Sequence, residues 1–292
     1  MTPAPNAREI QSSAAVVDDQ IRRRSVGARA ARSVLLTILG EFMLGTGKDV
    51  WHETLVATLE TQGYRTHTAR QALARSISGG WLTSERRGRR SRVRMTEQTE
   101  AMVAQGGARI FSFGAPWDWD EHWLLVALRV PEKRRDLRHQ VRARLTSQGF
   151  GSLGGGLWLS PHLDRERELS ELRDQEEVEL TTFHAELGEL GDPEQLAAEA
   201  WDLEAVAAEY AEFIGAFSHR RPTQAAAVFR AEIELVHEWR KFAFLDPDLP
   251  EELLPRAWPR PRALAIFEEK LALWRAPAQA YFDELEAAGG KP

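Results

Sequence analysis

Between residues 51 and 94 the apolar pattern switches from a helical period to strict alternation within a few positions, and few folds accommodate so abrupt a change. Trp51, Leu55, Val56 and Leu59 give a packing face to a short helix that Gly63 can end in the left-handed conformation. Gln62, Gly63, Tyr64 and Arg65 form a tight turn. Thr66 can cap a second helix running to Ser78, in which Ala69, Ala72, Leu73, Ser76 and Ile77 keep the spacing of a buried stripe. Its other face carries His67, Arg70, Gln71, Ala74, Arg75 and Ser78. A guanidinium matches a guanine edge and a carboxamide an adenine edge in the major groove. After Gly79 and Gly80, Ser91, Val93 and Met95 fall on one face of a strand, and Arg90, Arg92 and Arg94 on the other. Gly88 stands where a hairpin tip needs positive φ, flanked by Arg86, Arg87 and Arg89. A hairpin so rich in arginine repels itself unless an anion lies against it. A solvated hairpin is the bland alternative; the helix pair before it favours a phosphate backbone. Two helices and a basic hairpin outline a winged helix, whose first helix is supplied by Ala31, Val34, Leu35, Ile38 and Phe42.

Charge is divided along the chain in the same sense. The net charge of −6 conceals a balance of +10 over residues 21–95, which hold 15 Lys or Arg against five acids, and −14 over residues 96–292. A basic lobe on an acidic body implies that only the lobe meets a polyanion. Cysteine is absent, which removes disulfides and thiolate metal sites and fits a reducing compartment. No apolar run reaches the roughly 20 residues of a membrane span and no signal pattern opens the chain, so a cytoplasmic protein is expected.

With 292 residues there is room for several domains. Residues 1–24 lack periodicity and predict a disordered arm, in which Arg22, Arg23 and Arg24 are either phosphate contacts or a solvated tail. A winged-helix DNA-binding domain is expected over 25–106, ending in a short helix over 96–103 and a boundary at Gly106 and Gly107. An α+β domain of ferredoxin-like kind is expected over 107–188. Its strands lie at 124–130, 157–159 and 178–183, with a basic helix over 132–148. A helical C-terminal domain occupies 189–292. There Asp192 and Pro193 start a helix carrying Leu196, Leu203, Val206, Tyr210, Phe213 and Ile214, and long helices follow over 225–244 and 261–287. The fold class is therefore multi-domain α+β.

Signatures of catalysis are missing. Gly149, Gly151 and Gly154 spell GxGxxG, but a helix precedes and a strand follows, the reverse of a dinucleotide site, so a tight turn is the better reading. No HExxH pair, GxSxG elbow or Walker loop occurs. No enzyme, metal site or resident cofactor is expected. Of the ten tryptophans, Trp117, Trp119, Trp123, Trp158 and Trp201 are either core or the lining of an aromatic pocket, core being the commoner fate of a large ring.

These pieces together resemble the PaaX family of bacterial transcriptional repressors. The residues that carry the resemblance are Gly80, Trp81, Leu82 and the run from Arg86 to Ser91. They continue through the Trp123 strand to Val130, Pro131 and Glu132, then Gly149, Phe150, Gly151 and the segment from Leu157 to Pro161. Trp201, Asp202 and Leu203, the run from Leu245 to Pro250, and Leu253, Leu254, Pro255 and Trp258 complete the match, over roughly residues 28–285. The resemblance implies a homodimeric repressor of aromatic catabolic genes, especially phenylacetate genes, released from double-stranded operator DNA by an aryl-coenzyme A thioester such as phenylacetyl-coenzyme A. On that expectation His67, Arg70, Gln71 and Arg75 read bases, Arg86, Arg87, Arg89, Arg90 and Arg92 hold phosphates, and Trp119, Trp123, Trp158 and Trp201 line the effector pocket. The middle domain of such proteins is similar to small CRISPR-associated endonucleases, which hold metal on an aspartate near the end of the first strand. The strand over 124–130 has no acid, Glu132 lies beyond Pro131, and Asp118 and Asp120 precede it, so a metal-dependent nuclease is the weaker alternative. A DNA-bound platform that recruits a protein without any small ligand is another.

Overall fold

The computed structural model describes residues 30–115 and 117–290; the arm over 1–24, with Arg22, Arg23 and Arg24, lies outside the described residues. The chain begins with α1 (Ala31–Phe42), β1 (Val50–Trp51), α2 (His52–Thr61), α3 (Thr66–Ser78), β2 (Leu82–Arg87), β3 (Arg90–Met95) and α4 (Glu97–Ser112). The strands form an antiparallel sheet in the order β1-β3-β2, with Val50 opposite Val93 and Leu82 opposite Met95. Two-residue β1 is too short to leave a periodic signal, which is why the sequence does not announce it. The glycines that close α2 and α3 work alike. Gly63 (φ 89°) and Gly80 (φ 74°) sit one residue past the cap. Their N–H groups reach Glu60 and Ile77, and those of Tyr64 and Trp81 reach Leu59 and Ser76, closing a Schellman motif at each end.

Two expectations about this part need correction. Thr66 does not cap α3: Arg65 holds that position without a side-chain bond, and the Thr66 hydroxyl donates to the Glu60 carboxylate. Nor does the chain break at Gly106 and Gly107, since α4 runs through both to Ser112. Glycine costs a helix roughly 1 kcal/mol relative to alanine but does not block it, and the turn comes instead at Gly114 (φ 81°).

The middle segment contains β4 (His122–Arg129), α5 (Arg135–Ser147), β5 (Gly151–Gly154) and β6 (Leu157–Ser160). A 3-10 stretch, Leu163–Leu169, then leads into the single turn α6 (Ser170–Arg173) and on to β7 (Glu179–Glu186). All neighbours in the sheet β5-β6-β4-β7 are antiparallel. The glycine-rich β5 escapes the sequence reading because it has almost no apolar alternation. It also accounts for the GxGxxG spacing. Gly149 (φ 82°) ends α5, its N–H on Thr146 and that of Phe150 on Leu145. Gly151 lies against Trp201, where a Cβ would come within 2.6 Å of the indole, and Gly154 (φ 80°) turns the hairpin. No phosphate cradle is needed to explain three glycines there.

Beyond β7 come α7 (Pro193–Ala200), α8 (Leu203–Phe217), α9 (Ala225–Trp239), α10 (Phe242–Leu245) and α11 (Arg260–Gly289). Asp192 caps α7, accepting from the N–H groups of Glu194 (2.9 Å) and Gln195 (3.2 Å). The single helix expected from there to Ile214 is two, because Trp201 is extended and Asp202 accepts from the N–H of Ala205 at 3.0 Å, starting α8. Likewise α9 stops at Trp239 rather than Phe244. Pro277 lies inside α11, and it deprives the Leu273 carbonyl of a donor; Leu273 is 56% exposed, so water can serve.

The described residues group into two compact units. One comprises residues 30–112, Gly215–Arg240 and 265–290; the other comprises Phe113–Ile214 and Lys241–Leu264, so the C-terminal helical segment contributes to both. In the first, Leu35, Ile38, Leu55, Leu59 and Leu73 are fully buried, and Phe42 stacks on Phe282 at 4.8 Å. In the second, Leu124, Val126 and Trp158 face Val141 and Leu145 of α5, while Trp123 and Leu159, on the opposite sheet face, pack with Ala197, Leu203, Leu249 and Leu253.

One acid in the first unit is placed where ionisation is costly. Glu232 of α9 is 1% exposed. Burial, then the charge of Glu41, push its carboxyl well above the usual range against the weaker opposite pull of Arg275, which itself bonds Glu41 at 2.9 Å. Between the ordinary carboxylate value and the raised one, the folded state binds the extra proton, so stability falls as pH rises through that interval. Glu232→Gln should flatten this dependence and make the protein more stable at the upper end, as read by denaturant unfolding over a pH series; an unaltered slope would contradict the assignment.

Candidate nucleic-acid interface

Helix α3 buries Ala69, Ala72, Leu73 and Ser76 and leaves His67, Arg70, Gln71, Ala74, Arg75 and Ser78 exposed. Those are the six positions expected on its polar side. Gln71 Nε2 lies 3.4 Å from His67 Nε2, one turn away. Neither Arg70 nor Arg75 is paired with a carboxylate among the described residues. At the other end of the helix the Arg32 guanidinium lies over the Trp81 ring at 3.6 Å, and its Nη2 is 3.1 Å from where a Cβ on Gly79 would stand. A cation there suits the negative end of the helix dipole.

The hairpin divides its arginines into two groups. At the tip, Gly88 (φ 64°) is the first of two turn residues, the place where a type II′ turn takes glycine. Arg86 donates to the Gly88 carbonyl (3.1 Å), and Arg87 meets Glu85 at 3.0 Å with both side chains more than half exposed, a contact that solvent screens heavily. Arg89 and, farther down, Arg94 are exposed.

Arg90 and Arg92, also expected at phosphates, are bonded to the protein's own groups. Arg92, 21% exposed, bonds Asp49 at 3.1 Å and the carboxylate of Glu286, and it lies over the Trp51 ring at 4.6 Å. Its hydrogen bond holds the Asp49 carboxyl below the usual range. Arg90 donates to the Gly289 carbonyl at the end of α11. Glu286 was invisible to a local reading because it enters from 194 residues farther along the chain; no period or spacing near Arg92 signals it.

The aromatic residues separate in the same way. Trp119, Trp123 and Trp201 come together, with centroids 5.1 Å apart for the first pair and 6.4 Å for the second. Trp158 does not join them, since strand alternation sends it to the sheet face opposite Leu159 and into the other core. Trp117 stands on His162 at 4.5 Å, where burial pushes the imidazole down to about 4 and keeps it neutral. Trp119 donates to the His122 carbonyl (2.9 Å) and Trp201 to that of Gly149 (3.1 Å). The indole N–H groups of Trp123 and Trp258, in the same apolar cluster, are buried without an acceptor among the described residues. Among the described residues no group of three His, Asp or Glu is arranged to hold a metal, and no helix is long and apolar enough to cross a membrane.

Comparison with known proteins divides the chain into three matched stretches. Residues 30–99 match the PaaX-like protein family, 116–197 the PaaX protein central Cas2-like domain, and 201–284 the PaaX-like protein C-terminal domain. Over 240 residues the chain is 30% identical to the transcriptional repressor PaaX of Escherichia coli strain K12, covering 77% of this chain and 74% of that protein. The uncharacterized protein Rv0674 from Mycobacterium tuberculosis shares the fold with a TM-score of 0.54 at 21% identity, over 89% of this chain and 96% of that one.

Proposed function

This chain belongs to the PaaX family, and from that premise we propose that it is a DNA-binding transcriptional repressor of phenylacetate-type catabolic genes, a regulator and not an enzyme, working in the cytoplasm. The observation that carries the proposal is the exposed polar face of α3, which holds two guanidiniums without a carboxylate partner among the described residues, an imidazole and a carboxamide, beside a hairpin tip of arginines. In this reading α1 to α3 with the three-stranded sheet are a winged helix-turn-helix. Arg70, Gln71, Arg75 and His67 enter the major groove, and Arg86, Arg87 and Arg89 lie along the phosphates, joined by Arg94. Arg90 and Arg92 keep a shaping role and leave the phosphates to the tip.

The order βαββ, a second short helical piece and a last strand, in one antiparallel sheet, supports a ferredoxin-like middle domain. Its first strand, β4, carries no carboxylate, which weighs against a nuclease built on it. The cluster of Trp119, Trp123, Trp201 and Trp258, with two indole donors lacking acceptors among the described residues, supports an effector site for an aryl-coenzyme A thioester, whose oxygen atoms can accept from them. The repressor acts as a homodimer, and the effector favours a dimer whose reading helices no longer match half-sites roughly 34 to 36 Å apart. A thousandfold loss of operator affinity needs about 4 kcal/mol of differential binding, within reach of a large ligand.

Gel-shift measurements on the DNA flanking the gene, set against unrelated duplex, test the assignment of roles. Arg70→Ala with Gln71→Ala should remove the preference for operator, a loss of about 1–3 kcal/mol for each bidentate base pairing, and spare most non-specific binding; equal losses on both duplexes would refute base reading. Arg87→Ala with Arg89→Ala should weaken binding to every sequence and lower the slope of log K against log salt by roughly 0.9 for each phosphate the protein no longer neutralises. An unchanged slope would remove the hairpin tip from the interface. Calorimetry with phenylacetyl-coenzyme A should show saturable binding; no heat and no operator release would favour a protein-recruiting platform instead.

A further inference from the structure

Glu286 lies beyond the last residue matched by any of the three family stretches, which end at 284, yet it gathers donors from three elements. One carboxylate oxygen accepts the Trp51 N–H at 3.0 Å and the Thr54 hydroxyl at 2.6 Å, and the other accepts from Arg92. Trp51 and Thr54 are the cap and third residue of α2, so the carboxylate also sits on the positive end of that helix. Arg92 belongs to β3, which is paired through Trp51 with β1. Farther along the same turn, the Gly289 carbonyl takes the Arg90 guanidinium, a cation on the negative end of α11. The approach is close enough to require glycine: a Cβ on Gly289 would stand 2.7 Å from Thr54 Oγ1, and one on Gly290 2.8 Å from Trp51 Nε1.

We infer that the last turn of α11 is a brace for the DNA-reading head, with Glu286 as a positioning residue that acts through Arg92 to hold the base of the hairpin against α2. Arg92 is the inner half of this brace: its guanidinium is spent on Asp49, Glu286 and the Trp51 ring. The hairpin therefore shows a fixed set of tip arginines to the duplex only while the brace is closed. No hydrogen bond of the brace reaches α3 among the described residues, and that helix has its own buried stripe and Schellman turn. The positioning half of the inference rests on the proposed contact between the hairpin tip and phosphates; the brace itself does not.

The test uses the full chain and two readouts. In the free protein, Glu286→Ala should speed amide exchange in β1 and β3 about tenfold or more, the scale of one missing charged hydrogen bond, while leaving α3 unchanged. Operator affinity should fall about tenfold, and the salt slope should drop by roughly 2 as the tip releases phosphates at about 0.9 each. Arg92→Ala should reproduce both effects, with the double variant no worse than either single one. Glu286→Gln, which keeps the acceptor for Trp51 and Thr54, should recover much of the exchange protection. Gly289→Ala, which leaves Glu286 in place, should loosen the same strands by steric displacement and covers the case in which Glu286→Ala does not fold. Native exchange in Glu286→Ala would overturn the brace. Tighter binding with a steeper slope would overturn it as well, by showing that Glu286 competes with phosphate for Arg92. Strictly additive losses from Arg92→Ala and Glu286→Ala would show that the two act separately. Loosened strands with a native salt slope, in a protein whose slope also ignores Arg87→Ala with Arg89→Ala, would overturn the positioning role and the phosphate-contacting hairpin together, leaving only the brace.

Discussion

Burial of one stripe of α3 decides which side of that helix can meet a partner. Leu73 is fully buried with Ala69 and Ser76 beside it, and a leucine removed from water contributes about 1.5–3 kcal/mol. Rotating the helix to hide its polar side would expose that leucine and bury Arg70 and Arg75 without acids to pair them, a far larger penalty. The helix is thus locked with its cations outward. Glycine turns of one kind close it and the helix before it, so the chain leaves α3 directly into the basic hairpin.

Charge is sorted by what each arginine can reach. The tip guanidiniums stay in water because no acid among the described residues comes near them except Glu85, and an exposed pair of that kind has little hold on either partner. Arg90 and Arg92 are partly buried and bonded to the protein's own groups. A run that is uniform in sequence is therefore two populations in space: one still available to a polyanion, the other already satisfied by the protein. Part of the excess of positive charge over residues 21–95 is thus matched by the protein's own carboxylates.

How far this was readable from the sequence follows from the range of the interactions. The apolar period placed α1, α2 and α3 and their buried faces, because the spacing of Leu55, Leu59, Ala69 and Leu73 reports a local geometry. Gly63 and Gly88 marked positive φ for the same reason. What escaped was either too short to be periodic, as with β1 and β5, or set by partners far along the chain. The helix through Gly106 and Gly107 persists despite its composition, and the break at Trp201 hinges on a single aspartate, Asp202. Arg92 was assigned from its alternation with Val93, which is correct for the face it occupies and silent about Glu286. Trp158 shows the converse: aromatic type left it open to core or pocket, and its parity in the strand put it in the other core.

A chain without cysteine permits a direct test of the central claim that α3 faces DNA. Ala74, exposed at the middle of the polar face, can be replaced by a single cysteine carrying a photoreactive group and illuminated on operator duplex, alongside a control with the cysteine at exposed Thr181 of β7. Crosslinks from position 74 to major-groove bases inside the operator, and none from position 181, are the expected result. Crosslinking from position 74 no stronger than from 181, or confined to the ends of the duplex, would contradict the account.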